Sequence, residues 1–201
     1  MSHHFLSILL TLTSLQVQAQ YLAKPVKVLV VTAHPDDESL LAATIYKITH
    51  QQGGIADQVV ITNGEGGYRY SLLAASFYNL NLTDEDIARQ NLPRIRKQEL
   101  INAGKVLGLR NIYFLDQKDS HFGLDVKEPL DTIWNVNWIE TRLEELMALN
   151  NYDFVFCLLP DSATHAHHQA ATILALTTVS KLIKKPVILA VSTSNKSDTL
   201  Q

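Results

Sequence analysis

Five short apolar runs, rich in β-branched residues, recur along the chain, and segments with a helical period separate them. Strands that alternate with helices in this way are joined by right-handed crossovers and form a mostly parallel sheet. The runs are apolar throughout, which is typical of strands that are buried on both faces. The sequence therefore predicts an α/β fold. The predicted strands cover residues 27–32, 58–62, 111–115, 153–159 and 186–191.

Helical patterns lie between these strands. The predicted helices cover residues 40–50, 94–107, 138–149 and 167–182. Gly53-Gly54 and Gly108 follow the first two helices and act as stop signals. Residues 68–92 show no clean period, and we interpret them as a long excursion with one short helix. Loops of that length in a compact domain are usually functional lids or mobile segments.

Length and composition are those of one ordinary globular domain. The 201 residues are 46% apolar and 18% charged, which is enough to build a hydrophobic core. A formal net charge of −3 gives no indication of nucleic acid or an anionic membrane as a partner. Cys157 is the only cysteine and lies in the fourth predicted strand. We therefore predict a buried structural thiol and no intrachain disulfide.

The first twenty residues differ from the rest of the chain. An apolar stretch from Phe5 to Leu15 is too short to span a bilayer, and Val17-Gln18-Ala19 offers small residues at the −3 and −1 positions of a cleavage site. We predict a signal peptide over residues 1–19, a single domain over 20–201, and a secreted or periplasmic protein without a membrane span. The absence of Lys and Arg from the first residues favours the alternative of an N-terminal helix.

The motif Ala33-His34-Pro35-Asp36-Asp37-Glu38 directly follows the first predicted strand. It places one imidazole and three carboxylates where a buried strand would open into a helix, and charges at such a place need partners. In open α/β sheets this edge is also where ligands bind. A divalent metal takes imidazole and carboxylate together, and His34 and Asp37 are spaced so that both can reach one ion.

A second cluster, His165-Ala166-His167-His168, follows the fourth predicted strand and lies at the same edge of the sheet. His34, Asp37 and His168 supply three protein ligands, which with one open position describe a catalytic zinc site. Ligand type alone leaves other divalent first-row metals open. Asp36 is then free to act as general base on a metal-activated water, and His165 to stabilise the oxyanion or protonate the leaving amine. These groups suit hydrolysis of an amide.

Each motif alone has a simpler interpretation. The first is also typical of a turn with an Asp cap, and the second of a solvated helix start. Their joint occurrence after two strands favours the metal site. Hydrolysis of a phosphoester remains open as another function, although phosphoesterases usually assemble two metals.

The first motif, followed about 130 residues later by His-x-x-His, resembles the zinc-dependent N-acetylglucosaminyl deacetylases of the PIG-L/LmbE family over residues 26–191. The resemblance implies a Rossmann-like three-layer α/β sandwich. It also implies removal of the acetyl group from N-acetylglucosamine on a lipid, inositol or other carrier, so that the partner is a small amino-sugar conjugate. The family's zinc ligands fall on His34, Asp37 and His168, its general base on Asp36 and its electrophilic or acid histidine on His165.

Three further residues match the family's substrate-binding motifs. The resemblance implies that Glu65 in Thr62-Asn63-Gly64-Glu65 faces the sugar, that Arg96 is a substrate-side cation, and that Asp119 binds sugar hydroxyls. Each has an alternative: a solvated loop charge for Glu65, a surface pair with Glu99 for Arg96, and a turn residue for Asp119.

The chain departs from the family at one position. The second motif of the family usually reads His-x-Asp-His, and this chain has His167 at the Asp position. That Asp would orient the preceding histidine and raise its pKa, so the charge on His165 is left open. Asp161 is near in sequence and is a candidate substitute, and His167 is itself a candidate for a further metal ligand. The departure also leaves open a second function, a non-catalytic sugar-binding module on a degenerate hydrolase scaffold.

Overall fold

The computed structural model describes residues 24–192 and contains one five-stranded sheet. The strands are β1 (Lys27–Thr32), β2 (Ile55–Thr62), β3 (Leu109–Gln117), β4 (Phe154–Leu158) and β5 (Val187–Val191). They lie in the order β3-β2-β1-β4-β5, and every neighbouring pair is parallel. The predicted parallel α/β sheet is thus confirmed. The predicted signal peptide, residues 1–19, lies outside the described residues.

Helical segments connect the strands. The helices are α1 (Ala42–Tyr46), α2 (Leu72–Tyr78), α3 (Glu85–Leu107), α4 (Val136–Asn150) and α5 (Ala166–Lys181). A 3₁₀ turn, Asp37–Leu41, leads into α1, and a π-helical turn, Lys47–Gln51, follows it. A 3₁₀ segment, Glu65–Tyr70, precedes α2, and a π-helical turn, Pro129–Ile133, precedes α4. Among residues 24–192, no helix combines the length and the apolarity needed to cross a bilayer.

The sheet is the middle of three layers. Alternate residues of a strand point to opposite faces of the sheet, so each face packs against its own set of helices. Leu29 and Val31 of β1 pack in one core cluster with residues of α4 and α5. Val28 and Val30 pack in a second cluster with residues of the helical segment that contains α1. All four side chains are buried, as the unbroken apolar run of β1 predicts.

Helix α3 is longer than predicted, and its start at Arg94 was wrong. The helix begins at Glu85, where the side chain of Asp84 accepts a hydrogen bond from the backbone N–H of Ile87 at 3.0 Å. Pro93 lies inside the helix, where it removes one backbone hydrogen bond. Tertiary packing compensates for this loss. A small core cluster under this segment consists of Leu82, Ala88, Leu92 and Ile95.

Strand β2 also starts earlier than predicted, at Ile55 instead of Gln58. The difference arises because β2 contains Asp57, a charged residue that is fully buried. Its carboxylate accepts hydrogen bonds from Arg110, Asn111 and Tyr152 at the amino end of the sheet. A carboxylate with this many donors is tolerated inside a strand.

The order of the strands places a crevice at the carboxyl ends of β1 and β4. β1 pairs with β2 on one side and with β4 on the other, so the direction in which the chain adds strands reverses between β1 and β4. In open α/β sheets ligands bind outside such a reversal. The two histidine motifs directly follow these two strands.

Candidate metal centre

The loop after β1 is fixed by the carboxylate of Asp37. Its Oδ2 atom accepts hydrogen bonds from the backbone N–H of Ala33 at 3.0 Å and of His34 at 2.9 Å. These bonds tie the 3₁₀ turn that Asp37 begins back to the end of β1, so the main chain sets the position of the carboxylate. Both Asp37 and the ring of His34 are largely removed from solvent.

The first turn of α5 supplies the opposing imidazoles. His165 is the N-cap residue of α5, and His168 lies one turn further on. The Nδ1 atom of His168 lies 3.3 Å from the hydroxyl of Thr164. This contact leaves the Nε2 atom of His168 pointing across the crevice toward the loop after β1.

The three predicted metal ligands converge. His34 Nδ1 lies 3.1 Å from His168 Nε2 and 3.7 Å from Asp37 Oδ2, and His168 Nε2 lies 3.2 Å from Asp37 Oδ1. Bonds of about 2.0–2.1 Å to one ion place tetrahedral ligand atoms roughly 3.4 Å apart. Two imidazole nitrogens and one carboxylate therefore stand at the separations that a zinc ion, or another divalent first-row ion, requires.

The electrostatics of this set favour a positive charge. Burial alone would raise the pKa of Asp37, but hydrogen bonds with His168 and His34 outweigh it and hold that pKa well below its usual range. Burial also opposes protonation of His34, yet the adjacent Asp37 carboxylate raises the pKa of the imidazole above its ordinary value. A bound cation can take the place of that proton.

Asp36 stands apart from this set at the mouth of the site. Its side chain is 66% exposed, and its Oδ2 atom lies 2.6 Å from Arg96 Nη2. The guanidinium of Arg96 also donates to the carbonyls of Gly64 at 2.7 Å and Pro35 at 3.1 Å. Arg96 therefore joins the loops after β1 and β2. It contacts Asp36 instead of Glu99, which accepts a hydrogen bond from the hydroxyl of Tyr78.

Gly64 is the residue that lets Arg96 reach this position. Its φ of +73° lies in the left-handed region, and a Cβ atom there would stand 2.2 Å from Arg96 Nη1. A side chain at position 64 would therefore displace Arg96 and, with it, the contact to Asp36.

Glu65 and Asp119 are buried in the packing of two loops. Glu65 Oε1 accepts the backbone N–H of Asp119 at 3.1 Å, and Asp119 Oδ2 accepts the backbone N–H of Gly66 at 3.1 Å. Burial would raise the pKa of Asp119, but a hydrogen bond from His167 and the charge of His34 lower it to about 2. Asp119 lines the pocket above the metal ligands, while Glu65 lies beneath the loop.

His165 is engaged through both ring nitrogens. Its Nδ1 atom accepts the backbone N–H of His167 at 2.9 Å, so the hydrogen is on Nε2, which lies 3.1 Å from the carbonyl oxygen of His121. Burial, together with the neighbouring His167, lowers the pKa of His165 to about 4. The imidazole of His165 is therefore a neutral N–H donor at neutral pH.

Asp161 was wrong as the candidate that orients His165, because both ring nitrogens of His165 contact the main chain. His167, at the usual Asp position, pairs with Asp119 instead. His167 Nδ1 lies 3.4 Å from Asp119 Oδ1, whereas Asp161 accepts from the backbone N–H of Ala163 within its own loop. Sequence reasoning missed this pair, and also the ring of Trp134, which lies 5.0 Å from that of His167. No local pattern relates these positions, because β-strands and helices separate them along the chain.

The pocket over the site has a volume of about 280 Å³ and includes His34, Asp36, Asp37, Asp119, His165 and His168 in its lining. A larger groove of about 780 Å³ lies beside it between α2 and α3 and shares Asp36 and Arg96 with the pocket. Apolar side chains line much of the groove, among them Leu73, Phe77, Leu92 and Ile95. The site is thus a small polar pocket that opens onto a wider apolar groove.

Comparison with known proteins agrees with this architecture. The model of the PIG-L family, described as GlcNAc-PI de-N-acetylase, matches residues 29–179, and the chain belongs to this family of deacetylases. The probable N-acetyl-α-D-glucosaminyl L-malate deacetylases 2 of Bacillus cereus and Bacillus subtilis are 26% and 28% identical to it over 176 and 177 residues. Each alignment covers 86% of this chain and 71% of the relative.

Solved structures share the fold. N,N′-diacetylchitobiose deacetylase from Pyrococcus horikoshii gives a TM-score of 0.57 at 24% identity; the match covers 77% of this chain, which spans 49% of that enzyme. The 4-carboxy-2-hydroxymuconate hydratase of Pseudomonas putida gives 0.59 at 19% identity, with 83% of this chain and 64% of that chain covered. One fold thus carries two different reactions, and the reaction of this chain has to be argued from its site.

Proposed function

We propose that this protein is a metal-dependent hydrolase that removes the N-acetyl group from an N-acetylglucosamine-type conjugate. One observation carries the proposal: His34, Asp37 and His168 converge at the crevice between β1 and β4, with a separate carboxylate, Asp36, at the mouth. Membership of the PIG-L family supports the same reaction. A ligand set with a separate base is the arrangement that metal-assisted hydrolysis requires.

His34, Asp37 and His168 would hold the ion, and their donor types fit zinc or another divalent first-row metal. When bound, the ion supplies Lewis-acid polarisation of the amide carbonyl and of water. The protein fixes two of these three ligands through its main chain. Asp37 is bound by two backbone N–H groups, and His168 is carried by the first turn of α5.

Asp36 is the proposed general base. Its carboxylate faces the pocket and is oriented by the guanidinium of Arg96, so that an oxygen atom is presented to solvent beside the ligand set. A carboxylate in this position takes the proton from the attacking water and returns it to the leaving amine. Arg96 also donates to two carbonyls and acts here by holding Asp36.

His165 is the proposed donor to the developing oxyanion. Its Nδ1 atom is occupied by a backbone N–H, which places the hydrogen on Nε2, and the ring lines the pocket. A neutral N–H donor aimed at the oxyanion stabilises the transition state without a change in protonation. In this structure the Nε2 hydrogen is directed to the carbonyl of His121, and substrate would take the place of that acceptor.

The proposed substrate is a small amino-sugar conjugate. The relatives are named for N-acetylglucosaminyl L-malate and for N,N′-diacetylchitobiose, which share an acetamido sugar with a further substituent. The pocket is of a size for one sugar, and the adjoining groove offers room for the carrier.

Acetate release tests the proposal. Purified full-length protein is loaded with zinc, and acetate is measured with free N-acetylglucosamine and with its conjugates, with and without a chelator. We expect release that the chelator abolishes and zinc restores, and a higher rate with a conjugate than with the free sugar. A protein that binds no metal, or whose release of acetate is indifferent to the chelator, would contradict the proposal.

A second candidate is a sugar-binding module without turnover. It is favoured by His165, both of whose ring nitrogens are satisfied by the main chain, and by His167 at the usual Asp position. Calorimetry separates the two functions. Saccharide binding without acetate release over hours, in protein that has bound its metal, would support the module.

We also propose that residues 1–19 are a signal peptide and that the protein is secreted or periplasmic. N-terminal sequencing of exported protein should begin at Gln20. An exported form that retains Met1 would contradict cleavage.

A further inference from the structure

His34 lies between two groups of side chains, one at each ring nitrogen. Its Nδ1 atom faces Asp37 and His168, the proposed metal ligands. Its Nε2 atom faces the other way, 3.1 Å from His167 Nδ1 and 3.8 Å from Asp119 Oδ1. The proposed function uses the first group and gives the second no role.

The chemistry of metal binding assigns the second group a task. A ligating nitrogen must be unprotonated, so an ion bound at Nδ1 of His34 leaves the hydrogen on Nε2. Metal-bound histidines almost always donate that second N–H to a carboxylate, a carbonyl or water, which fixes the tautomer and the ring orientation. Two acceptors face this hydrogen: the Nδ1 atom of His167 at 3.1 Å, which accepts when His167 carries its own hydrogen on Nε2, and the carboxylate Oδ1 of Asp119 at 3.8 Å.

The receiving pair is held firmly. His167 is almost completely buried, and the ring of Trp134 packs against it. The indole N–H of Trp134 donates to the carbonyl of Lys118 at 3.1 Å, next to Asp119 in the chain. Arg89 donates to the carbonyl of Asp119 at 3.0 Å, and the carboxylate of Asp119 is fixed by Gly66. These contacts hold both side chains beside the Nε2 atom of His34.

A second metal site is the competing interpretation of this cluster, since nitrogen atoms of His34, His165 and His167 lie close enough to share an ion. The hydrogen bonds of His165 argue against it. Its Nδ1 atom accepts from the main chain of His167, and its Nε2 atom is directed to the carbonyl of His121. Ligation by either ring nitrogen of His165 would break one of these two contacts.

We propose that His167 and Asp119 form a positioning pair that orients His34 for metal binding. The Nδ1 atom of His167 accepts the Nε2 hydrogen of His34, and the carboxylate of Asp119, from the loop after β3, faces the same hydrogen with its negative charge. The proposal assigns Asp119, which also lines the pocket, to the support of a metal ligand. It rests on one part of the proposed function, namely that His34 is a metal ligand.

Zinc affinity measured without substrate tests the proposal. The dissociation constant of full-length protein is obtained by competition with a chromophoric chelator, and cobalt absorption spectra report the ligand geometry. We expect His167→Ala to weaken zinc binding by about 10–100-fold, the usual effect of removing such a support. His167→Asn keeps an acceptor near the Nδ1 position and should restore most of the affinity and the spectrum of the wild type.

Controls separate positioning from folding. His50→Ala removes an exposed imidazole that stacks on Tyr46 at the amino end of β2, and it should leave zinc affinity unchanged. Asp119→Asn is nearly isosteric and covers the case in which His167→Ala fails to fold. It removes the negative charge that faces the Nε2 hydrogen of His34 and should also weaken zinc binding.

Three results would overturn the positioning pair. One is unchanged affinity and spectrum in folded His167→Ala; another is an equal loss in His167→Ala and His167→Asn, which would reduce His167 to packing. The third is a second equivalent of zinc that His167→Ala abolishes, since Nε2 of His34 would then be a ligand. None of these three results depends on acetate release. The deacetylase proposal fails on a different result, namely a protein that binds zinc with full affinity and releases no acetate.

Discussion

The two ends of the sheet each bury a cluster of charged and polar groups, and they solve the problem of burial differently. At the amino end, the carboxylate of Asp57 is surrounded by hydrogen-bond donors. At the carboxyl end, the imidazoles and carboxylates of the candidate metal centre face one another with more acceptors than hydrogens. The first cluster is complete within the protein, and the second has the geometry of a set of residues that could hold a metal ion.

The amino-end cluster satisfies every lone pair that Asp57 directs into the core. Its Oδ1 atom accepts from Arg110 Nε at 3.0 Å and from Asn111 at 3.1 Å, and its Oδ2 atom accepts from the hydroxyl of Tyr152 at 2.6 Å and from Arg110 Nη2. A buried carboxylate in this state fixes the register of β2 and β3 and the start of β4. It is a structural device.

The carboxyl-end cluster lacks this balance. His168 Nε2 lies close to both His34 Nδ1 and Asp37 Oδ1, and a single hydrogen cannot serve both contacts equally. One cation would satisfy all three atoms at once. Buried acceptor atoms that converge without enough donors therefore indicate a metal site better than buried charge alone does.

Asp36→Asn tests the roles assigned at the carboxyl end and should have the largest effect. We expect kcat to fall by about 10²–10⁴-fold, the usual contribution of a general base. Zinc content should be unchanged and stability should change by no more than about 1 kcal/mol, because Asp36 is largely exposed. Acetate release, metal analysis and urea denaturation check the three expectations. If Asp36→Asn loses zinc and Asp37→Asn keeps it, the assigned roles are reversed.

The amino end should respond to Asp57→Ala in stability alone. The buried hydroxyl of Tyr152 would lose its acceptor at about 1–3 kcal/mol, and the exposed Asn111 and Arg110 would regain water at about 1 kcal/mol more, so we expect a loss of about 2–4 kcal/mol. Urea denaturation measures it. Asp86→Ala, on the exposed first turn of α3, is the matched control, with a loss of at most about 1 kcal/mol. An altered kcat for folded Asp57→Ala would show that the two ends are coupled.

Tyr152→Phe removes one donor from the same cluster and should have a smaller effect. Burial and the adjacent Asp57 raise the pKa of Tyr152, so its hydroxyl stays protonated and donates at every accessible pH. A buried hydrogen bond to a charged group is worth about 1.5–3 kcal/mol. We expect a loss of stability in that range with zinc affinity intact. A change of less than about 0.5 kcal/mol would mean that Arg110 and Asn111 alone satisfy Asp57.

The sequence was sufficient to predict the parallel sheet and the approach of the two histidine motifs. Unbroken apolar runs identify buried strands, and parallel strands bring their carboxyl ends to one edge, so His34 and His168 had to lie near each other. The start of α3 was missed because residues 68–92 show no clean period, and the first turns of the helix, which contains Pro93, are supported by tertiary packing.

Contacts between distant loops were beyond sequence reasoning. The pairing of Asp119 with His167 joins the loop after β3 to the first turn of α5, and nothing in either segment specifies the other. The same holds for Asp57 with Tyr152, which are 95 positions apart. Such pairs depend on the twist of the sheet and on side-chain packing, which the pattern of apolar residues does not encode.

The smallest expected effect concerns Cys157, which lies on β4 within the main core, between the two ends. Burial raises the pKa of its thiol to about 12, so at pH 8 only about one molecule in 10⁴ carries a thiolate. We expect a disulfide reagent such as DTNB to react with the native protein no faster than the protein unfolds, and to titrate one thiol in denaturant. Rapid reaction of the folded protein would show that the thiol of Cys157 is accessible as a nucleophile. The reactive groups near the carboxyl end of the sheet would then include a thiol as well as imidazoles and carboxylates.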